Sequence, residues 1–251
     1  MIVVFASAKG GAGKSTISCN IAYHLSKMNY KTLLFDSDVG SSVDYIFFGV
    51  YKHFTIKDYL DNHEAEIPKC FDDIKQSINE KLSLISSPNG FVEISMTQLE
   101  LIKQELINQN EKNDFIIIDT QAGTHIQNLE FMKIADKIYI VVNLDDQSIA
   151  DNFSLIRDLQ KVQFGVTAEI YLITNRISDP KISNVIYENI NKLLIKKGCN
   201  PIKFAANICK SNNIESSINN KEMFMEKYKH TNVYNQFMAI IDTLIQEKLH
   251  G

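Results

Sequence analysis

The 251-residue chain has no tryptophan and only 4 prolines, 4 cysteines and 10 glycines. So little proline and glycine excludes collagen-like and low-complexity sequence, and 45% hydrophobic with 22% charged residues is the balance of a folded globular protein. Cys19, Cys70, Cys199 and Cys209 stand far apart with no C-x-x-C pair, which argues against a zinc site or a disulfide framework and predicts reduced, mostly buried thiols. Long apolar runs are missing too. The run from Ile138 to Val142 is far shorter than the roughly 20 residues of a membrane-spanning helix, so an integral membrane protein is excluded. An excess of positive charge is also absent: 26 Lys and Arg against 30 Asp and Glu give a net charge of −4, and no global attraction for nucleic acid. The opening Met1-Ile2-Val3-Val4 lacks the basic segment and cleavage site of a secretory signal, so a cytoplasmic protein is expected.

What the chain does have is alternation. Short, β-rich apolar runs at 2–6, 32–35, 82–85, 115–119, 137–142, 168–174 and 202–206 predict strands with both faces covered. Between them lie helical stripes: Ile17, Ile21, Leu25 and Met28; Leu99, Ile102 and Leu106; Ile182, Ile186, Ile190 and Leu193. Strands alternating with helices predict an α/β fold, a doubly wound and mainly parallel sheet with helices on both faces. No repeat or linker divides the sequence, so residues 1–251 are expected to form one domain. Charge is uneven, with an acidic stretch from Asp58 to Glu80 and a lysine-rich one from Lys181 to Lys210. Solvated faces account for both.

Directly after the first strand stands Ala8-Lys9-Gly10-Gly11-Ala12-Gly13-Lys14-Ser15-Thr16, followed by an amphipathic helix. Strand, glycine-rich loop and helix make a phosphate cradle: successive amides point inward and the helix N-terminus adds partial positive charge. Lys14 would bridge the β and γ phosphates of a nucleotide, and the Ser15 hydroxyl would ligate Mg²⁺. The strict pattern G-x-x-x-x-G-K-[ST] asks for glycine at position 8, where this chain has Ala8; it carries instead a second lysine, Lys9, inside the loop.

The stretch K-G-G-x-G-K-[ST] resembles the deviant Walker A loop of the MinD/ParA family of ATPases. The resemblance implies a P-loop NTPase fold and a homodimer with two ATP molecules sandwiched at its interface, Gly10, Gly11, Ala12, Gly13, Lys14, Ser15 and Thr16 contacting the nucleotide. Lys9 becomes the family's signature lysine, reaching the partner subunit's nucleotide as a cation supplied in trans. Leu33-Leu34-Phe35-Asp36-Ser37-Asp38 is similar to the family's second-strand motif, which gives Asp38 the attacking water and Asp36 the support of loop and metal. Phe115-Ile116-Ile117-Ile118-Asp119 resembles the Walker B strand, whose Asp119 would hold Mg²⁺ through a water. Thr174-Asn175-Arg176 matches the family's N-[KR], with the Asn175 amide expected to read the adenine edge and Arg176 beside it.

Three features resemble the MinD and FlhG branch. Thr120-Gln121-Ala122-Gly123 is similar to D-T-P-A-G after its aspartate, with Gln121 in place of proline and the Gly123 N–H expected to be free to face the γ-phosphate. Ser148-Ile149-Ala150-Asp151 matches a helix start, and residues 39–49 and 55–60 match a further run. The resemblance implies slow, partner-stimulated ATP hydrolysis that controls the position or number of a cellular structure, through a protein activator or cargo. The partner-stimulating N-terminal extension of FlhG is not part of this sequence. Its last apolar stripe, Val233, Phe237, Ile240, Ile241, Leu244, Ile245 and Leu249, is expected to be core rather than a membrane anchor, because Lys248 is its only cation. Two alternatives remain: a ParA-type partition ATPase binding DNA nonspecifically through the Lys181 to Lys210 region, whose affinity would fall steeply with salt, and a metabolic synthetase on the same fold, which has no need of Lys9.

Overall fold

Five-residue runs such as Ile2–Ala6 and Phe115–Asp119 are buried at every position, as strands sandwiched between two helical layers must be. The computed structural model describes residues 1–38, 43–50, 54–61, 70–87 and 94–250; positions 39–42 of the branch-specific run and 62–69 of the acidic stretch lie outside them. The chain runs β1 (Ile2–Ala6), α1 (Lys14–Lys27), β2 (Thr32–Asp36), α2 (Val43–Phe48), α3 (Ile56–Leu60), α4 (Phe71–Ile74), β3 (Gln76–Ser77), β4 (Leu82–Ile85) and α5 (Met96–Asn110). It continues through β5 (Phe115–Asp119), α6 (Ile126–Lys133), β6 (Lys137–Val142), α7 (Asp146–Leu159), β7 (Glu169–Asn175), α8 (Pro180–Lys196), β8 (Lys203–Ile208), α9 (Asn212–Asn219), α10 (Phe224–Lys227) and α11 (Asn232–His250).

The strands form one sheet in the order β3-β4-β2-β5-β1-β6-β7-β8, parallel throughout except for β3. Alternate side chains of β1 separate the two cores: Ile2 and Val4 join Leu99 of α5, Phe131 of α6 and Leu155 of α7, whereas Val3 and Phe5 join Ile21 of α1 and Phe237 of α11. β1 lies between β5 and β6, so the chain leaves it toward one half of the sheet and later builds the other. Such a switch point opens a crevice at the C-terminal ends of the strands.

Several expectations change in detail. β3 was not legible: two polar residues carry no apolar pattern, and they pair antiparallel with β4 across a turn in which Asn79 Oδ1 accepts from the amides of Lys81 and Leu82. β7 and β8 sit one or two residues further on than the apolar runs suggested, since β8 is an edge strand that is only half covered. α8 rests on Ile186, Ile190 and Leu194, which leaves Ile182 and Leu193 to the side and exposed; Met28 is exposed as well, beyond the end of α1. Only Cys19 is buried, the other three thiols being half-buried in loops and at element ends. The C-terminal stripe does pack inside, with Phe237, Ile240, Ile241 and Leu244 fully buried, while Leu249 projects into solvent.

Phe35 of β2 ties the half of the sheet that carries the aspartates to the α4–α6 layer, stacking on Phe71 at 5.9 Å and meeting Phe131 edge-on at 5.6 Å. Phe35→Ala is expected to cost about 3–5 kcal/mol of folding stability, since the cavity loses both ring partners; urea denaturation of the variant against wild type measures it.

Candidate functional site

The loop between β1 and α1 is shaped by two glycines with positive φ, Gly11 at +73° and Gly13 at +96°. Gly13 is required twice over, because a Cβ there would also lie 2.3 Å from Asn175 Nδ2. As the N-cap of α1, Gly13 offers no side chain to the first-turn amides, and no acidic residue occupies that turn. The positive end of the helix is therefore left for an anion. Lys14, only 6% exposed, begins the helix, with Ser15 and Thr16 after it on the same half-buried turn.

The end of β6, the first turns of α7 and the end of β7 grip this loop. Ala8 N donates to Asn152 Oδ1 at 2.9 Å, Lys9 Nζ lies 2.9 Å from Asp145 Oδ1, and Asn175 Nδ2 donates to the Ala12 carbonyl at 2.7 Å. Asn143, with its amide nitrogen turned toward them, donates at 3.2 Å to the carbonyls of both Ala12 and Asn175. Arg176, in the left-handed region at φ 61°, reaches the Gly11 carbonyl at 3.4 Å. Asp145, Asn143 and Asn152 were missed in the sequence, although Asp145 two residues before Gln147-Ser148 is a recognisable N-cap and accepts from Ser148 N at 2.8 Å.

Across the switch point the aspartates converge. Asp36 and Asp119 are register partners on adjacent strands, and Ser37 binds the Asp119 carbonyl through both its amide and its hydroxyl, at 2.9 and 3.0 Å. Asp36 Oδ1 accepts from Asp38 N at 3.1 Å, and its Oδ2 from Ser87 Oγ at 3.3 Å. Asp119 is fully buried and neither of its carboxylate oxygens has a hydrogen-bond partner of sound geometry. Burial pushes its carboxyl up to about 6, against the opposing pull of the Ser15 hydroxyl and the Lys14 charge. Burial also raises Asp38, with Lys14 and His125 pulling the other way. Among the described residues no group of three or more His, Cys, Asp or Glu side chains could cage a metal. An orphaned carboxylate beside a serine suits an ion bound mainly through waters and phosphate oxygens, as Mg²⁺ is.

Two expected contacts are engaged otherwise here. The Gly123 N–H is not free: it donates to the Ser7 carbonyl at 2.9 Å, and the segment is braced from α6 by Asn128 Nδ2, which donates to Gln121 O and Gly123 O. Gln121, where the resembling pattern has proline, is held through its carbonyl by Asn128. The Asn175 amide holds Ala12 with its nitrogen and accepts from Arg176 N with its oxygen at 3.0 Å, so both ends are engaged within the protein. Beside them a cavity opens between Gly13, Thr16, Arg176, Cys209, Ser211 and Ile214.

A carboxyl titrating near 3.8 in the unfolded chain and near 6 when buried costs about 3 kcal/mol in its ionised form. The penalty is complete above pH 6 and is relieved as pH falls through 6 toward 3.8, so this group adds stability on acidification. Asp119→Asn is therefore expected to stabilise the nucleotide-free protein by up to about 3 kcal/mol at neutral pH and to flatten the pH dependence in that window; chemical denaturation between pH 4 and 8 checks both.

Residues 1–172 match a family model described as an AAA domain. The chain is 30% identical over 194 residues to the flagellum site-determining protein YlxH of Helicobacter pylori, covering 76% of this chain and 63% of that protein. It is 27% identical over 188 residues to the septum site-determining protein MinD of Neisseria meningitidis, covering 72% and 69%. Among solved structures, MinD of the Aquifex aeolicus MinC:MinD cell division complex superposes with a TM-score of 0.77 at 22% identity, covering 98% of this chain and 96% of that one. MinD of Pyrococcus horikoshii complexed with Mg-ADP gives 0.76 at 17% identity, covering 100% and 97%.

Proposed function

Because the chain belongs to the MinD/ParA family of P-loop ATPases, we propose that residues 1–251 form one ATPase domain working as an ATP-dependent dimerisation switch that controls where, or in what number, a cellular structure assembles. One observation carries this reading: two lysines of the loop, Lys9 and Lys14, stand at the same rim as Asp36, Asp38 and Asp119. The site-determining roles in the names of the matched relatives support the output, and the Mg-ADP of a structural neighbour supports the ligand.

In this reading the amides from Gly10 to Gly13 and the open end of α1 hold the phosphates, Lys14 bridges β and γ, and Thr16 and Arg176 border the base in the cavity beside Asn175. Ser15, with Asp36 and Asp119 behind a shell of water, would hold Mg²⁺, which when bound neutralises charge on the phosphate oxygens. Asp38 orients the attacking water. Gly123 reaches the γ-phosphate once its amide leaves Ser7, which makes the 120–125 segment the part that responds to nucleotide. Lys9 is half exposed and its ion pair with Asp145 is exposed too, so water and salt weaken the pair and it exchanges readily for a phosphate of a second subunit.

A protein activator or cargo is the favoured partner in a cytoplasmic setting. Within the lysine-rich region Lys203 is paired with Glu169 and Lys192 lies 3.8 Å from Glu188, which thins the field a DNA backbone would meet. The apolar stripe of α11 is spent on the core, and among the described residues no helix is long and apolar enough to cross a membrane.

Lys14→Ala is expected to weaken ATP binding by about 10- to 150-fold, the loss of a charge-assisted contact worth about 1.5–3 kcal/mol; titration with a fluorescent ATP analogue reads it. Light scattering gives the second check. Asp38→Ala with ATP should become a stable dimer and Lys9→Ala should stay monomeric, while a wild-type turnover well below about 10 s⁻¹ fits a timer. A monomer in every case, or ATP consumed in step with a small-molecule acceptor, would overturn the switch.

A further inference from the structure

α8 carries two apolar stripes, and the fold uses one of them. Ile186, Ile190 and Leu194 are buried against the sheet. On one flank of that stripe Tyr187 Oη donates to the Ile202 carbonyl at 3.1 Å, and Asn191 donates to the same carbonyl at 3.1 Å while accepting from Ile202 N at 2.8 Å. This flank is fastened to the approach to β8. The opposite flank, toward α7, holds Ile182, Val185, Asn189, Leu193 and Lys196. With about 100° of turn per residue, all five fall within an arc of about 80°. α7 does not cover them: Ile182 is 38%, Val185 53% and Leu193 45% exposed.

Spacing says what could lie along this stripe. Steps of 3, 4, 4 and 3 residues repeat at the period at which two helices keep one seam in contact. A helix laid alongside meets every position, whereas an extended segment, with its period of two, does not. Charge narrows the choice further. Lys181 and Lys192 border the stripe on its solvent side and Lys196 closes its end, while Glu188 is the one acid of α8. Among the described residues Lys181 and Lys196 take part in no ion pair, and Lys192 stands 3.8 Å from Glu188 with both side chains largely exposed. Lysines beside an apolar seam select carboxylates on the facing helix. Asn189, in the middle of the seam, argues against lipid: between helices a polar seam residue fixes register, whereas in an acyl layer it would be buried unpaired. The aliphatic side chains argue against DNA, whose phosphates offer them nothing to bury against.

We propose that this flank of α8 is the docking surface for a protein partner, and that the partner presents an acidic amphipathic helix. The docking stands on α8 itself; its consequence rests on the ATPase reading and deepens it, by giving the activator or cargo a place. The start of α8 is tied to the rim of the site. Ser183 Oγ lies 2.6 Å from Thr174 Oγ, and the next residue of β7, Asn175, grips the Ala12 carbonyl of the loop. A helix seated on α8 is thereby linked through β7 to the loop proposed to cradle phosphate.

The test is fluorescence anisotropy on the full chain with a synthetic helical peptide carrying leucine at the seam positions and glutamate beside them, and with the same peptide carrying lysine for glutamate. The glutamate helix should bind. Val185→Glu combined with Leu193→Glu should weaken it at least about tenfold while thermal unfolding and ATP affinity stay as in wild type, since both side chains lie outside the core. Lys192→Glu combined with Lys196→Glu should transfer the preference to the lysine helix. A glutamate helix that does not bind, that binds both double variants as it binds wild type, or that is matched by the lysine helix on wild type overturns the inference. So do phosphatidylglycerol vesicles or duplex DNA held through the same side chains in place of the glutamate helix, which would give the surface to lipid or nucleic acid. Wild type that binds the glutamate helix but neither binds nor hydrolyses ATP overturns the ATPase reading and leaves this surface standing.

Discussion

A carboxylate buried without a hydrogen-bond partner is the constraint on which the rim of this sheet depends. Asp119 sits at the end of a central parallel strand, beside a second acid, in a place water does not reach. Its charge must be answered, and Lys14 answers it from the first turn of α1. Lys14 is placed only if the preceding loop is placed, and that loop takes further contacts from outside itself. Asn175, Asn143, Asn152 and Asp145 supply them from the other half of the sheet. The free protein thus carries a cost at Asp119 that a bound cation would repay, which couples folding stability to ligand binding.

That the loop lysines and the strand-end aspartates come together was legible, because the chemistry expected of them fixes both residue type and place. A phosphate loop needs glycines and a lysine directly between strand and helix, and the aspartates sit where apolar runs stop. The same reasoning recovered the parallel sheet, whose central strands are apolar along most of their length. It failed where cover is partial. β8, half exposed, breaks its pattern with Lys203 and Asn207, and β3 has no pattern to find. It also failed where a side chain acts across distance in the chain. Asn143 and Asn152 meet the loop more than 120 positions away, and nothing local marks them for it. Asn175 was found for one reason and is held for another: its amide grips Ala12 in the structure, and the expected contact with a base would have to share or replace that grip.

The grips on the loop differ in strength. Asn152 is fully buried, so its bond to Ala8 is protected from competing water and holds the start of the loop firmly. The Lys9 to Asp145 pair is exposed and weak. Rigid backbone with a loosely held cation is the combination the proposed trans-acting role of Lys9 would require, since the side chain can swing without disturbing the amides proposed to cradle phosphate.

The two borders of the sheet bear on how copies of this chain can meet. One is capped by β3, only two residues long and running against its neighbour; the other, β8, is irregular in its pairing with β7 near Leu172 and Ile173 and is packed against α11. Neither presents the long, flat row of unpaired amides and carbonyls on which another strand could build. Growth into fibres or strand-exchanged aggregates is thereby discouraged at both sides. The proposed dimer would meet through the loop-bearing end, where contact can be made and broken without disturbing a ladder of the sheet.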